Sequence, residues 1–306
     1  GTRDPGGRER AAGRRARRAS RRAQGWLPLS LPLSLPLSLP LSLPLTRTSG
    51  ATVTPMATEP EQPLPPHRPI ERYYADEAER RPFVTSLFDG AASHYDWINR
   101  LMSFGSGIWY RREALRRVGV AEGMTVVDVA TGSGQVARAA EELVGPSGRV
   151  VPVDLSLGML VEARRFVSSP AIRGVVERLP LASGIADVVS MGYALRHVAD
   201  LRATFCEYHR VLRPGGRVLL LEFARPTSAV GYALLRLYLG FLIPAVARLR
   251  GHSAKVMMRY FWDTIDACVP PETILDALAA AGFEEQRREG QAPLFAEYVA
   301  TRPAGG

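Results

Sequence analysis

Cysteine is nearly absent: Cys206 and Cys268 are the only two in 306 residues. Two thiols without metal-ligand spacing support neither a disulfide framework nor a cysteine metal centre, so no metal is expected. Excess basic charge is also scarce once it is located. The formal net charge is +9, but residues 1–55 hold ten arginines against Asp4 and Glu9, which leaves +1 for residues 56–306. A basic nucleic-acid face has no support, and no nucleic-acid partner is expected. Gly-Lys-Ser/Thr does not occur, which excludes a P-loop. A long uncharged apolar run is missing as well. Within the most apolar span, residues 228–250, the longest uncharged piece of the candidate helix is Leu237–Ala247, and Pro244 interrupts it. That piece is too short to cross a bilayer.

What is present begins with an anomaly. After the arginine-rich opening, a four-residue Leu-Pro-Leu-Ser repeat runs from Leu27 to Thr46. Proline at every fourth position removes a helix donor each turn, and the uninterrupted apolar core of a secretory signal is lacking. Residues 1–70 are expected to be disordered, with residues 1–55 an upstream extension and the protein proper starting at Met56. That reading implies a cytoplasmic protein, peripheral to the membrane. An arginine-rich, acid-poor opening read as a transit peptide implies the mitochondrial matrix instead.

From Pro82 onward the pattern is globular, in keeping with a chain that is 46% apolar and 23% charged. Phe83, Leu87, Ala91 and Tyr95 share one helical face, and a second helix is expected in "IWYRREALRRVGV". Apolar strands at 125–130, 149–154, 172–176, 186–192 and 217–224 then alternate with helical patterns at 135–144, 156–167 and 200–212. Such alternation predicts a parallel sheet covered on both faces. The helix "PETILDALAAAGF" and the strand-like "FEEQRRE" and "LFAEYVATR" follow. The expected fold is α/β, Rossmann-like: a mostly parallel seven-stranded sheet ending in an antiparallel hairpin, within a domain of residues 71–306.

The first βα turn reads "VVDVATGSGQVARAA". Gly132, Ser133 and Gly134 followed by Ala137 satisfy G-x-G-x-x-A, which also fits a dinucleotide site. Asp128, inside the preceding strand, decides against a pyrophosphate, because its carboxylate would repel one. S-adenosylmethionine has no phosphate and carries an ammonium and a sulfonium, so an acid suits it. Asp154 ends the second strand, where a carboxylate accepts ribose hydroxyls or caps the helix that follows.

The sequence resembles the ubiquinone/menaquinone biosynthesis C-methyltransferase family over most of Phe83–Pro303. "HYDWINRLMSFG", "VVDVATGSG", "ALRHV" and "RVLRPGGRVLLLEFARP" carry the resemblance. It implies a class I S-adenosylmethionine-dependent methyltransferase acting on a ring carbon of a polyprenylated benzoquinol or naphthoquinol. It further implies that Gly132, Ser133 and Gly134 border the methionine part of the cofactor and that Asp154 holds the ribose. Leu155 and Met159 would flank the adenine, Val175 and Val176 would lie in the adenine loop, and Gly192 would form the floor. Three departures stand out: Val175 replaces an acidic or amide residue, Ser106-Gly107 stands where a histidine is usual, and Arg196-His197 replaces Arg-Asn.

Arg196 and His197 are expected to open on the site from the fourth strand's carboxyl end. The imidazole is the easier base and the guanidinium a clamp on a developing phenolate; solvation of both side chains is the bland alternative. Tyr95 and Asp96 are expected to close over the cofactor or merely to pack and cap. Residues 228–265 read as an apolar lid for an isoprenoid tail that also touches the membrane, and a homodimer is a further expectation. Competing functions are methylation of another apolar acceptor (a sterol, lipid or phenolic compound) and a non-catalytic subunit of the same fold.

Overall fold

The structure, a computed structural model, describes residues 62–103, 106–292 and 295–305. The arginine-rich and Leu-Pro-Leu-Ser segments and Phe104-Gly105 of the "LMSFG" motif lie outside the described residues.

Seven strands form one sheet in the order β3-β2-β1-β4-β5-β7-β6. The strands are β1 (Thr125–Val129), β2 (Arg149–Asp154), β3 (Ile172–Arg173), β4 (Ala186–Gly192), β5 (Leu212–Phe223), β6 (Glu284–Ala292) and β7 (Phe295–Thr301). The first five in that order are parallel, and β7 pairs antiparallel with both β5 and β6. This is the expected sheet. Val126, Val127 and Val129 are fully buried because helices cover both faces, which is why β1 reads as unbroken apolar sequence. Chain order reverses direction between β1 and β4, so the crevice of the fold opens at their carboxyl ends.

The helices are α1 (Glu77–Ser103), α2 (Gly107–Arg117), α3 (Gln135–Val144), α4 (Leu157–Ala163), α5 (Leu201–Val211), α6 (Ala229–Leu235), α7 (Ile243–Ala247), α8 (His252–Ala267) and α9 (Pro271–Ala280). A π-helical stretch, Arg236–Leu242, joins α6 to α7 without a break. Helix α1 starts five residues before Pro82. The Asp76 carboxylate accepts from the Glu79 amide (3.0 Å) and the Glu79 carboxylate from the Ala75 amide (2.9 Å). This reciprocal box nucleates the helix ahead of the proline, which sits inside the second turn and leaves the Ala78 carbonyl without its intrahelical donor.

Two other boundaries differ from expectation. Strand β5 begins at Leu212 and carries Pro214-Gly215-Gly216 into the sheet through a register shift against β4, with Gly215 at φ +78°. The disordered segment expected up to residue 70 ends earlier, because residues 62–70 are pinned to the domain by backbone pairing. Leu201 N donates to Leu64 O (2.9 Å) and Val269 N to Pro66 O (2.8 Å). The Leu64 amide donates to Asp200 (3.0 Å), and His67 is buried, donating from Nε2 to the Arg196 carbonyl (3.0 Å). Proline-rich sequence gives no periodic signal, and a strap of this kind is recognisable only from its tertiary partners.

Candidate functional site

The β1–α3 turn is built by two glycines with different duties. Gly132 adopts φ +57°, and its amide donates to Asp154 Oδ2 (2.8 Å). Gly134 adopts φ +83° at the N-cap of α3, where a Cβ would stand 2.5 Å from Val167 Cγ2. Its glycine is therefore required by backbone conformation and helix packing. Gly134 lines neither of the cavities described next, whereas Gly132 lines both.

Beside this turn lie two connected spaces. The larger, about 110 Å³ and open on one side, is lined by Phe88, Tyr95, Leu155, Met159, Val175 and Val176 on its apolar walls. Asp154, Glu177, His197, Arg80, Arg81, Thr85 and Ser156 supply its polar groups. The smaller, about 20 Å³, is lined by Asp128, Ser133, Asn99, Arg111 and Gln135. Tyr95, Ala130, Gly132 and Gly192 line both and so form the neck between them. Ala130 and Tyr193 flank this neck at φ +53° and +62° without being glycine. Backbone strain of this kind persists only where surrounding structure enforces it.

Asp128 is 1% exposed and accepts from Thr131 Oγ1 (2.6 Å) and Ser190 Oγ (2.8 Å). Burial pushes its carboxyl up to about 6, against the pull of those hydroxyls. Asp154 Oδ1 accepts from the Ser156 amide (2.8 Å) while Oδ2 takes Gly132. It therefore ties the glycine turn to the start of α4, whose N-cap is Ser156. Burial raises Asp154 to about 6 as well, opposed by these amides and by that of Leu155. Each oxygen retains a lone pair for a ligand hydroxyl. Asp96 accepts from Gln135 Nε2 (3.3 Å), so it braces the entrance to α3.

Arg196 and His197 sit on a 3₁₀ turn, Leu195–His197, directly after β4. Arg196 is 1% exposed; it forms an ion pair with Glu222 and stacks over the rings of Phe261 (4.6 Å) and Phe223 (5.6 Å). Glu222 also accepts from the Leu195 amide (2.8 Å). Arg196 lines neither cavity, which corrects its role as a direct clamp on substrate oxygen: its charge is spent on Glu222. Solvation of the pair is equally overturned. The His197 ring stacks on Tyr260 (5.4 Å, 26°) and meets Phe88 edge-on (5.2 Å). Both ring nitrogens are shut off from bulk water without a hydrogen-bond partner, and the side chain lines the larger cavity. Burial, followed by the charges of Arg196, His67 and Arg80, holds the imidazole well below its ordinary pKa. His197 is thus neutral, an acceptor first and a proton base only at a cost.

No residue of 228–265 lines either cavity. Here α6, the π stretch and α7 pack on α8, and α8 supports His197 through Tyr260.

The sequence profile of the ubiE/COQ5 methyltransferase family matches residues 74–293. The chain belongs to that family. It is 32% identical over 212 residues to ubiquinone/menaquinone biosynthesis C-methyltransferase UbiE of Hahella chejuensis, covering 67% of this chain and 85% of that protein. It is 33% identical over 223 residues to demethylmenaquinone methyltransferase of Mycolicibacterium paratuberculosis, covering 72% and 94%. Among solved structures, phosphoethanolamine N-methyltransferase 2 of Haemonchus contortus aligns at 18% identity with TM-score 0.52, over 74% of this chain and 59% of that one. A methyltransferase of Thermotoga maritima aligns at 17% identity with TM-score 0.51, over 71% and 99%. The two solved structures share the fold with this ubiE/COQ5 member. Its cofactor is S-adenosylmethionine, and the site fits it: a buried Ser133 Oγ lacks any partner in the small pocket, facing the space that Asp128 and Arg111 also line.

Three lining residues escape sequence reasoning. Arg111 is buried, its guanidinium 4.9 Å from the Tyr193 ring, yet it reads as one of many arginines on α2. Glu177 stands two residues beyond Val175 and accepts from the Ala199 amide (2.8 Å) and Arg81 (3.3 Å). It brings an acidic group to the loop where Val175 lacks one. Asn99 shares α1 with Tyr95, one turn on.

Proposed function

We propose that the protein methylates a ring carbon of a polyprenylated benzoquinol or naphthoquinol, with S-adenosylmethionine as donor. S-adenosylmethionine supplies an electrophilic methyl group. The chain's own residues bind, orient and exclude water. Asp128, Ser133 and Arg111 offer an acid, a hydroxyl and a cation to the amino-acid part, and Asp154 offers carboxylate oxygens to the ribose. Leu155, Met159, Val175 and Val176 give the base apolar walls, with Glu177 at their edge.

The observation that carries this reading is the chemistry at the other end of the larger cavity. There the imidazole of His197 faces an apolar chamber, neutral and without a partner. A neutral acceptor among Phe88, Val84 and Met191 suits an uncharged aromatic hydroxyl. A bond from that hydroxyl to His197 moves electron density into the ring and raises the nucleophilicity of the adjacent carbon. Burial first, then the Arg196 and Arg80 charges, oppose protonation of His197. The hydroxyl therefore keeps its proton in the ground state and passes it to His197 only as the ring carbon takes the methyl group. Loss of that carbon's hydrogen as a proton then restores the aromatic ring. Arg196 acts at one remove: through Glu222 it holds the backbone that carries His197.

The test is turnover of demethylated quinols, reduced in situ, by the wild type and by His197→Ala. The proposal requires ring-methylated product from the wild type, a loss of about a hundredfold in the variant, and unchanged binding of S-adenosylhomocysteine. Cofactor binding without methylation of any quinol would refute it.

A further inference from the structure

Helix α6, the π stretch and α7 form one continuous run, Ala229–Ala247, of 19 residues with a mean hydropathy of 1.7. Among the described residues it is the one helix long and apolar enough to cross a membrane, and only 22% of it is buried. The helix is longer than its uncharged piece, Leu237–Ala247, because it runs through Arg236 back to Ala229. One face packs inward through Leu235, Leu239, Ile243 and Ala247, and Gly240 lets the helix close on Trp262, 3.4 Å from where its Cβ would stand. The other face is exposed: Val230, Leu234, Leu237 and Phe241 are 59–72% accessible and repeat at helical spacing. Leu242 and Leu249 extend the same apolar surface.

The segment that carries this stripe is rich in cations, and the acids packed beside it are engaged: Asp266 pairs with Arg225 and accepts from Tyr232, and Asp263 holds Arg72 and Tyr73. Between Glu222 and Asp263 the sequence holds no acidic residue, but six cations: Arg225, Arg236, Arg248, Arg250, Lys255 and Arg259. The Arg236 guanidinium lies 6.0 Å from the Phe241 ring, at the edge of the stripe, and Arg248 is exposed at its far end. We propose that this face docks the protein on an anionic phospholipid bilayer, with the helix lying in the interfacial plane. Apolar side chains insert to the acyl boundary while the cations meet headgroups. A second copy of the chain fits worse, because an isologous interface would bring the cations of both copies together. Crossing the bilayer is disfavoured too, since Leu235, Leu239 and Ile243 would have to leave the core they fill. The proposal concerns a surface remote from the cavity lining and stands whether or not the acceptor is a quinol.

The experiment is sedimentation of the full chain with vesicles of phosphatidylcholine, with or without about one-third phosphatidylglycerol. The wild type should pellet with the anionic vesicles, less so at high salt. The variant Leu234→Glu/Leu237→Glu/Phe241→Glu should lose at least about tenfold in vesicle affinity, and Arg236→Glu/Arg248→Glu should lose the preference for anionic lipid. Both variants should bind S-adenosylhomocysteine as the wild type does, which shows that they fold. Equal pelleting of wild type and triple variant would overturn the proposal. So would a wild-type dimer in light scattering that the triple variant converts to a monomer, for then a second copy covers the stripe.

Discussion

Asp154 holds the Gly132 amide on one oxygen and the Ser156 amide on the other, so it organises the site before any ligand arrives. Asp154→Ala should orphan both amides and weaken binding of S-adenosylhomocysteine by about 1–3 kcal/mol, readable by calorimetric titration. The raised pKa of about 6 also sets a pH dependence. Ligand hydroxyls need the ionised carboxylate as acceptor, so binding draws its pKa down and takes up the stronger form. Affinity should be full above pH 6 and fall as pH drops through it, by at most about tenfold per unit for each coupled proton. The free protein responds with the opposite sign. Between the ordinary 3.8 and about 6 the folded state holds more protons than the unfolded one at Asp128 and Asp154. These two carboxyls therefore lose stabilising effect as pH rises through that window. At His197 the residue type itself is testable. His197→Asn keeps an uncharged acceptor where the resembling family carries one, so it should retain more turnover than His197→Ala, by about tenfold.

At the scale of elements, the 3₁₀ turn after β4 depends on a buried ion pair rather than on its own three residues. Arg196→Ala would leave Glu222 charged and buried, and should cost about 3–5 kcal/mol in urea denaturation. Arg196→Met combined with Glu222→Met should cost clearly less, because no uncompensated charge remains. The elements themselves were largely legible. The apolar runs at 149–154 and 186–192 and the helix at 135–144 match β2, β4 and α3 residue for residue, because each is covered on both sides or has a clean amphipathic face. Legibility failed where tertiary contact governs. Helix α1 begins before Pro82 owing to a side-chain box, and Pro66 and His67 gain order only from Val269 and Arg196. The site divides in the same way. Asp154 follows from its strand end, whereas Leu155, Met159, Val175, Val176 and Gly192 rest on the family resemblance; all six line the larger cavity. Arg196 carries the positional signal of a strand end but turns inward, since Glu222, 26 residues away, is invisible to local pattern.

Across the whole molecule, a polar pocket, an apolar chamber and an exposed apolar, cationic helix face coexist in one domain. The first two meet at a neck formed by Tyr95, Ala130, Gly132 and Gly192, where a transferred group would have to pass. Widening the neck at Tyr95 with Tyr95→Ala should let water reach both spaces, lowering turnover more than cofactor affinity, as a comparison of kcat with the calorimetric Kd would reveal. The central claim is methylation of a quinol ring carbon in the cavity that His197 lines. The measurement that tests it most directly is product analysis after incubating the protein with methyl-labelled S-adenosylmethionine and a reduced, demethylated prenyl quinol. The account predicts label on a ring carbon of the quinol, lost with His197→Ala. Label on oxygen, or none while S-adenosylhomocysteine still binds, would contradict it.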